Sequence, residues 1–390
     1  MSVSDQEIIS RFPVGYYELH PNVSLNFQMN RFYGWANEQQ MLDEMRAAGK
    51  RIQAYDDWTR EMLQLSDQAL AQKRTVPAAY YSRGAQFFLP TDDPRFDPAK
   101  KRFLDEVEAA FDVTEANKFQ VPFQKTQLAA YRLTPDQPRG TIVIFGGYDS
   151  YIAEWLPAAI ALRDAGMDTV IFDGPGQGMV LDNGVPMTPD WHLPVGAVLD
   201  YFTLDGVTLM GFSLGGGLVV RAAAHEPRVS RVVAWDVFTD LHENASRVLD
   251  AVGLETVERN AERIPATALN AAIDAVSRSD LFTEWTFNQG KRVMGVDTPS
   301  DVFKAWDQYH TDDVSSLVKQ DILLMVGTKD HYVPLHQLGD QVMTLTAAPS
   351  VTCRVFTEEE QAQNHCQVGN TGLAISVILN WLDQVGGRKA

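Results

Sequence analysis

Val207-Thr208-Leu209-Met210-Gly211-Phe212-Ser213-Leu214-Gly215-Gly216-Gly217-Leu218-Val219-Val220-Arg221-Ala222-Ala223-Ala224 is the stretch that sets the fold. Val207–Met210 reads as a buried strand, and a helix-forming run begins at once from Leu214. Between them, Gly211-Phe212-Ser213-Leu214-Gly215 matches the GxSxG pattern. A serine on such a strand–turn–helix sits in a strained conformation with its hydroxyl exposed above the sheet. Glycines are needed at 211 and 215 because side chains there would collide with the neighbouring strand and helix. The amino end of the helix also offers unpaired N–H groups and a positive partial charge to an oxyanion formed beside the serine.

A glycine-rich turn with a capping serine is the plainer reading, and the partners available to the hydroxyl decide between the two. A serine hydroxyl is a poor nucleophile without a base. In this arrangement the chain order is serine, then Asp or Glu, then histidine. Of eight histidines, His20 and His192 precede Ser213. His225 ends the helix and reads as a C-terminal cap, while His242 and His310 fall in a region without strand candidates. His331 and His336 lie around the turn after the strand Ile322–Val326. His365 follows the last strand candidate, Thr352–Phe356, on a strand-to-helix loop at the carboxyl edge of the sheet, and is the expected base.

Asp330, in Gly327-Thr328-Lys329-Asp330-His331-Tyr332-Val333-Pro334, is the preferred acid. Asp236, directly after the strand Val232–Trp235, is the alternative. Either carboxylate would hold the imidazole tautomer and stabilise the imidazolium without taking up the proton. The loop Gly146-Gly147-Tyr148-Asp149-Ser150, after the strand Thr141–Phe145, is placed to complete an oxyanion hole. The Leu214 and Tyr148 N–H groups are the expected donors.

Working outward, short apolar runs at Thr141–Phe145, Thr169–Phe172, Val207–Met210, Val232–Trp235, Ile322–Val326 and Thr352–Phe356 alternate with helix-length segments. That alternation implies βαβ units and a doubly wound, mostly parallel α/β sheet, preceded by a strand pair at Phe119–Lys125 and Leu128–Leu133. Residues 1–117 read as helical. Met41, Met45, Ile52, Tyr55, Trp58, Met62, Leu65 and Ala69 share one face, with a break near Gly49, and Pro98–Phe111 forms a second stretch. This segment must pack on something else, and residues 118–390 form the catalytic unit. No strand candidate lies between about 237 and 314, an interval too long for a loop, so a helical cap insertion is expected there.

The 390 residues carry a net charge of −18, which argues against nucleic acid or an anionic membrane as the main partner. The start lacks a basic region followed by an apolar one, and no apolar run reaches the ~18 residues of a membrane helix, so a cytoplasmic protein is expected. Cys353 and Cys366 make no disulfide scaffold and lack CxxC spacing. His331 and His336 stand five apart without an HExxH partner, so no metal is expected. Asp173-Gly174-Pro175-Gly176-Gln177-Gly178 lacks the spacing of a dinucleotide loop, and no cofactor is expected. The expected partner is a small-molecule substrate.

Together these residues resemble the α/β-hydrolase superfamily. More narrowly, the chain is similar to the group of 2,6-dihydroxypseudooxynicotine hydrolase and the fungal polyketide-shortening hydrolases. The likeness rests on His20-Pro21, Asn30-Arg31, Ala78–Arg83 with Phe87-Phe88-Leu89, the Gly146–Tyr151 loop, Asp173–Gly178, the Ser213 turn and Asn364-His365-Cys366-Gln367. The resemblance implies that the helical amino-terminal segment forms part of a lid, whose surfaces in this group often support a homodimer, and that hydrolysis of a C–C bond beside an aryl or enolisable ketone is among the group's activities. Lid aromatics, among them Phe27, Phe32, Tyr33, Trp35, Tyr80 and Tyr81, would then either enclose a flat apolar substrate, with Tyr80, Tyr81 and Trp35 the chosen contacts, or form the lid's own core. A broad-specificity carboxylesterase and a catalytically silent binding protein of the same fold are the two other readings.

Overall fold

The structure is a computed structural model and describes residues 5–251 and 264–386. Eight strands form one sheet in the order β1-β2-β4-β3-β5-β6-β7-β8. They are β1 (Lys118–Phe123), β2 (Thr126–Leu133), β3 (Thr141–Phe145), β4 (Asp168–Phe172), β5 (Val207–Phe212), β6 (Val229–Trp235), β7 (Asp321–Gly327) and β8 (Val351–Phe356). The β1–β2 hairpin is antiparallel and joins β4 antiparallel through β2, while every pairing from β4 to β8 is parallel. Each apolar run singled out in the sequence is a strand here. The central parallel strands β3, β4, β5 and β7 are almost wholly buried, which is why they read as apolar runs rather than as alternation.

Side chains still alternate between the two faces of the sheet. Ile142, Ile144, Met210, Val233, Leu323 and Met325 point into one core, shared with the amino-terminal helices and the carboxy-terminal helix Thr371–Gly386. Val143, Phe145, Leu209, Val232, Ala234 and Leu324 point into the other, shared with the helices His192–Phe202 and Gly215–His225. The amino-terminal helices therefore share a core with the sheet rather than enclosing one of their own.

Those helices are Asp5–Ser10, Val23–Ala36, Gln39–Gly49, Tyr55–Ala71, Thr75–Phe87 and Phe96–Ala110. Gln39–Gly49 and Tyr55–Ala71 carry the apolar stripe legible in the sequence and are separated after Gly49. Val23–Ala36 and Thr75–Phe87 are buried nearly all round and so show no stripe. Between β6 and β7 the described residues hold the helices Leu241–Ala251, Ala266–Ser277, Leu281–Met294 and Pro299–Trp306. Residues 252–263 of the expected insertion lie outside the described residues. No described helix is long and apolar enough to cross a membrane.

Candidate active site

Ser213 stands between β5 and the helix Gly215–His225, with φ at +58°, in the left-handed region that a residue with a side chain rarely adopts. Its N–H donates to the Trp235 carbonyl at 2.7 Å, which ties the turn to the end of β6. The turn is tight enough that a Cβ on Gly211 would lie 2.1 Å from the Gly215 oxygen, so only glycine fits. The chain is thus forced to lift the serine hydroxyl off the carboxyl end of the sheet.

His365 reaches that hydroxyl from the loop after β8, with Nε2 2.8 Å from Ser213 Oγ. Its other nitrogen, Nδ1, lies 2.6 Å from Asp330 Oδ2 and 3.1 Å from Asp236 Oδ2. The preferred and the alternative acid therefore both reach one imidazole. They do so because β6 and β7 are adjacent and parallel, so their carboxyl ends deliver Asp236 and Asp330 side by side. All three groups are buried. Burial alone would raise Asp330, but the facing imidazolium outweighs it and holds the carboxyl below its ordinary range. Asp236 goes the other way, raised by burial and then by the charge of Asp330. Burial opposes charge on His365, yet Asp330 overrides it and carries the imidazole well above its ordinary value.

The loop after β3 closes on the same point. A Cβ on Gly147 would lie 2.8 Å from both the Phe212 oxygen and Ser213 Cβ, and 3.1 Å from Leu214 N. Only a bare backbone can come that near, which sets Tyr148 next to the helix amino end with its first, intrahelically unpaired amides. Gln177 Nε2 fixes the loop by donating to the Gly146 and Gly147 carbonyls at 2.6 and 3.1 Å. Asp173 accepts from Ile152 N–H and Met179 N–H, both at 3.0 Å. The Asp173–Gly178 run, a plain loop on its spacing, is thus the brace of the Tyr148 turn.

A cavity opens above Ser213, lined among others by Phe27, Trp35, Trp155, Trp285, Trp306 and Tyr332. Trp35, expected as a substrate contact, is in the wall. Tyr80 and Tyr81 are not, and that expectation is corrected: both are fully buried among the amino-terminal helices. Tyr80 OH donates to the Glu154 carbonyl at 3.0 Å and Tyr81 OH to the Glu44 carboxylate at 2.7 Å. Phe32 and Tyr33 likewise pack in the core away from the cavity. Trp285 and Trp306, from the segment between β6 and β7, were not singled out in the sequence, where nothing relates that helical segment to Ser213. Tyr332 carried a signal, since it stands two residues after Asp330.

Two groups of described residues have ligand atoms close enough to hold an ion: Asp236, His365 and Cys366, and, at the surface, His310, Asp312 and Asp313. In the first, carboxylates already engage His365 Nδ1, and burial raises the Cys366 thiol and keeps it protonated. That donor set suits proton chemistry better than a metal.

The comparisons agree with this architecture. The chain is 26% identical over 364 residues to the hydrolyase poxO of Penicillium oxalicum, with 83% of this chain and 84% of that protein covered. Among solved structures, the AbyA5 wild type superposes with a TM-score of 0.69 at 16% identity, covering 94% of this chain and 95% of that one. The crystal structure of 2,6-dihydroxy-pseudo-oxynicotine hydrolase superposes with a TM-score of 0.62 at 22% identity, covering 89% and 94%. Both superpositions speak to the fold. The model of the alpha/beta hydrolase fold family matches residues 140–356. That match takes in β3 to β8 with the serine turn, Asp236 and Asp330, and by it the chain belongs to the alpha/beta hydrolase fold family.

Proposed function

We propose that this chain is a serine hydrolase that works through an acyl-enzyme on a C–C bond beside a ketone, or on an ester, in a small aromatic or polyketide-like substrate. The observation that carries the reading is His365, with Nε2 2.8 Å from Ser213 Oγ and Nδ1 2.6 Å from Asp330. His365 takes the Ser213 proton as Oγ attacks the substrate carbonyl, and Asp330 stabilises the imidazolium that forms. The oxyanion rests on the Leu214 and Tyr148 N–H groups. Collapse of the tetrahedral intermediate breaks the bond to the leaving group, which takes its proton from His365. That group leaves as an alcohol from an ester, or, through its enolate and then protonation, as a ketone from a diketone. Water, deprotonated in turn by His365, then hydrolyses the acyl-serine.

The aromatic wall supports a flat apolar substrate, because Trp35, Trp155, Trp285 and Trp306 offer ring faces and edges around the nucleophile. The test compares an aryl 1,3-diketone with p-nitrophenyl acetate, on wild type and Ser213→Ala. The reading expects diketone cleavage by wild type and none by Ser213→Ala. Turnover of the simple ester alone makes the protein a carboxylesterase. Turnover of neither, with ligand-induced thermal stabilisation, makes it a binding protein.

A further inference from the structure

We propose that Asp236 is a positioning residue that shares the Nδ1–H of His365 with Asp330 and clamps the turn carrying the imidazole. The inference rests on the serine-hydrolase reading above and goes beyond it, since one acid suffices for that reading. The geometry has two parts. First, Asp236 Oδ2 lies 3.1 Å from His365 Nδ1, within hydrogen-bond reach and on the same nitrogen that Asp330 engages at 2.6 Å. Second, Asp236 accepts the Cys366 N–H at 2.6 Å and a Gln367 side-chain N–H at 3.2 Å. Cys366 and Gln367 have φ of +49° and +50°, an unfavourable backbone for side-chain-bearing residues. A fully buried carboxylate that takes donors from both is what holds this turn, and with it the imidazole, in place.

Other titratable groups also face the imidazole. From the loop after β7, burial lowers His331 to about 3 and keeps it neutral. Burial raises Tyr332, whose ring stands 4.9 Å away, and it raises the Cys366 thiol on the imidazole's own turn. Arg31, from the helix Val23–Ala36, and Asp149, from the loop after β3, shift Tyr332. Asp330, by its charge and hydrogen bond, and Asp236, by its hydrogen bond, both favour the imidazolium, as Cys366 does, so removing either carboxylate is expected to make His365 easier to deprotonate.

Two readings of purified full-length variants test this, with rates normalised to the serine titrated by an organophosphonate. Removing the acid of such a triad while keeping its shape costs about 10,000-fold in kcat when no second acid is present. With Asp236 in reach, Asp330→Asn is expected to lose only ~10- to 100-fold, and Asp330→Asn/Asp236→Asn to fall to the full ~10,000-fold loss. Asp236→Asn alone is expected to move the acid limb of kcat/KM to lower pH, a shift that a purely structural role would not produce. The inference is overturned if Asp330→Asn already shows the whole loss with no further drop in the double variant. It is equally overturned if the acid limb of Asp236→Asn stays where it is in wild type, a measurement that stands even where the double variant fails to fold. Undiminished turnover by Ser213→Ala would instead sink the underlying hydrolase reading.

Discussion

Arg31 and Glu154 form an ion pair with Glu154 wholly buried and Arg31 nearly so. Arg83 donates to the second oxygen of Glu154 at 2.9 Å and to the Asp149 carbonyl at 2.6 Å, and Arg31 pairs with the Asp149 carboxylate at 3.0 Å. Burial opposes the charge on Arg31, but Asp149 and Glu154 outweigh it and raise its pKa. The network joins two amino-terminal helices to the segment just after Tyr148. Breaking a buried pair by removing one partner strands an uncompensated charge, which costs about 3–5 kcal/mol. Glu154→Ala is therefore expected to lose that much stability in urea unfolding, and a loss under 1 kcal/mol would show that Arg31 and Arg83 find other partners or water.

The loop on the other side of Tyr148 gives a sharper kinetic expectation. Alanine at Gly147 would press on Ser213 Cβ and the Phe212 carbonyl, moving the Tyr148 and Leu214 amides apart. Losing one oxyanion donor costs about 100- to 1,000-fold in kcat, and Gly147→Ala should fall in that range with the Ser213 turn still folded. Wild-type kcat in this variant would place the oxyanion elsewhere.

His365 works as a base only when neutral, so activity must rise with pH as its proton leaves. Burial would lower its pKa, but the facing carboxylates raise it well above 6.5. The acid limb of kcat/KM is therefore expected above pH 6.5 in wild type. A limb at or below that value would mean that the carboxylates are neutralised in the working enzyme.

Tyr80 and Trp285 separate packing from substrate contact. Tyr80→Phe loses one buried hydrogen bond, about 1 kcal/mol of stability, with unchanged kinetics. Trp285→Ala opens the cavity wall and should raise KM for a bulky aryl ketone about tenfold, equivalent to about 1.4 kcal/mol, while sparing p-nitrophenyl acetate. The opposite pattern would return Tyr80 to the substrate.

Legibility in the sequence followed how local each feature is. The Ser213 turn is written in consecutive residues, strand then glycine then helix, and His365 follows from its place after the last strand. Asp330 could be preferred to Asp236 from the chain, but that both reach one imidazole was not legible, because it depends on neighbouring parallel strands ending at the same edge. The helices Val23–Ala36 and Thr75–Phe87 were not delimited within the segment read as helical, because burial on all sides erases the periodic stripe. The same burial made Tyr80 and Tyr81 look like substrate contacts, since an aromatic inside a helical core and one lining a cavity read alike. The wall itself is assembled from Trp35, Trp155, Trp285 and Tyr332, and nothing in their spacing announces that they meet.

An aryl organophosphonate, followed by mass mapping of the adduct, tests the Ser213–His365 relationship most directly. One adduct on the peptide bearing Ser213, formed by wild type and slowed at least 1,000-fold in His365→Ala, is the expected result, in line with the ~10³–10⁴-fold or greater losses seen when such bases are removed. Labelling of a different residue, or equal labelling of Ser213 without the imidazole, would contradict it.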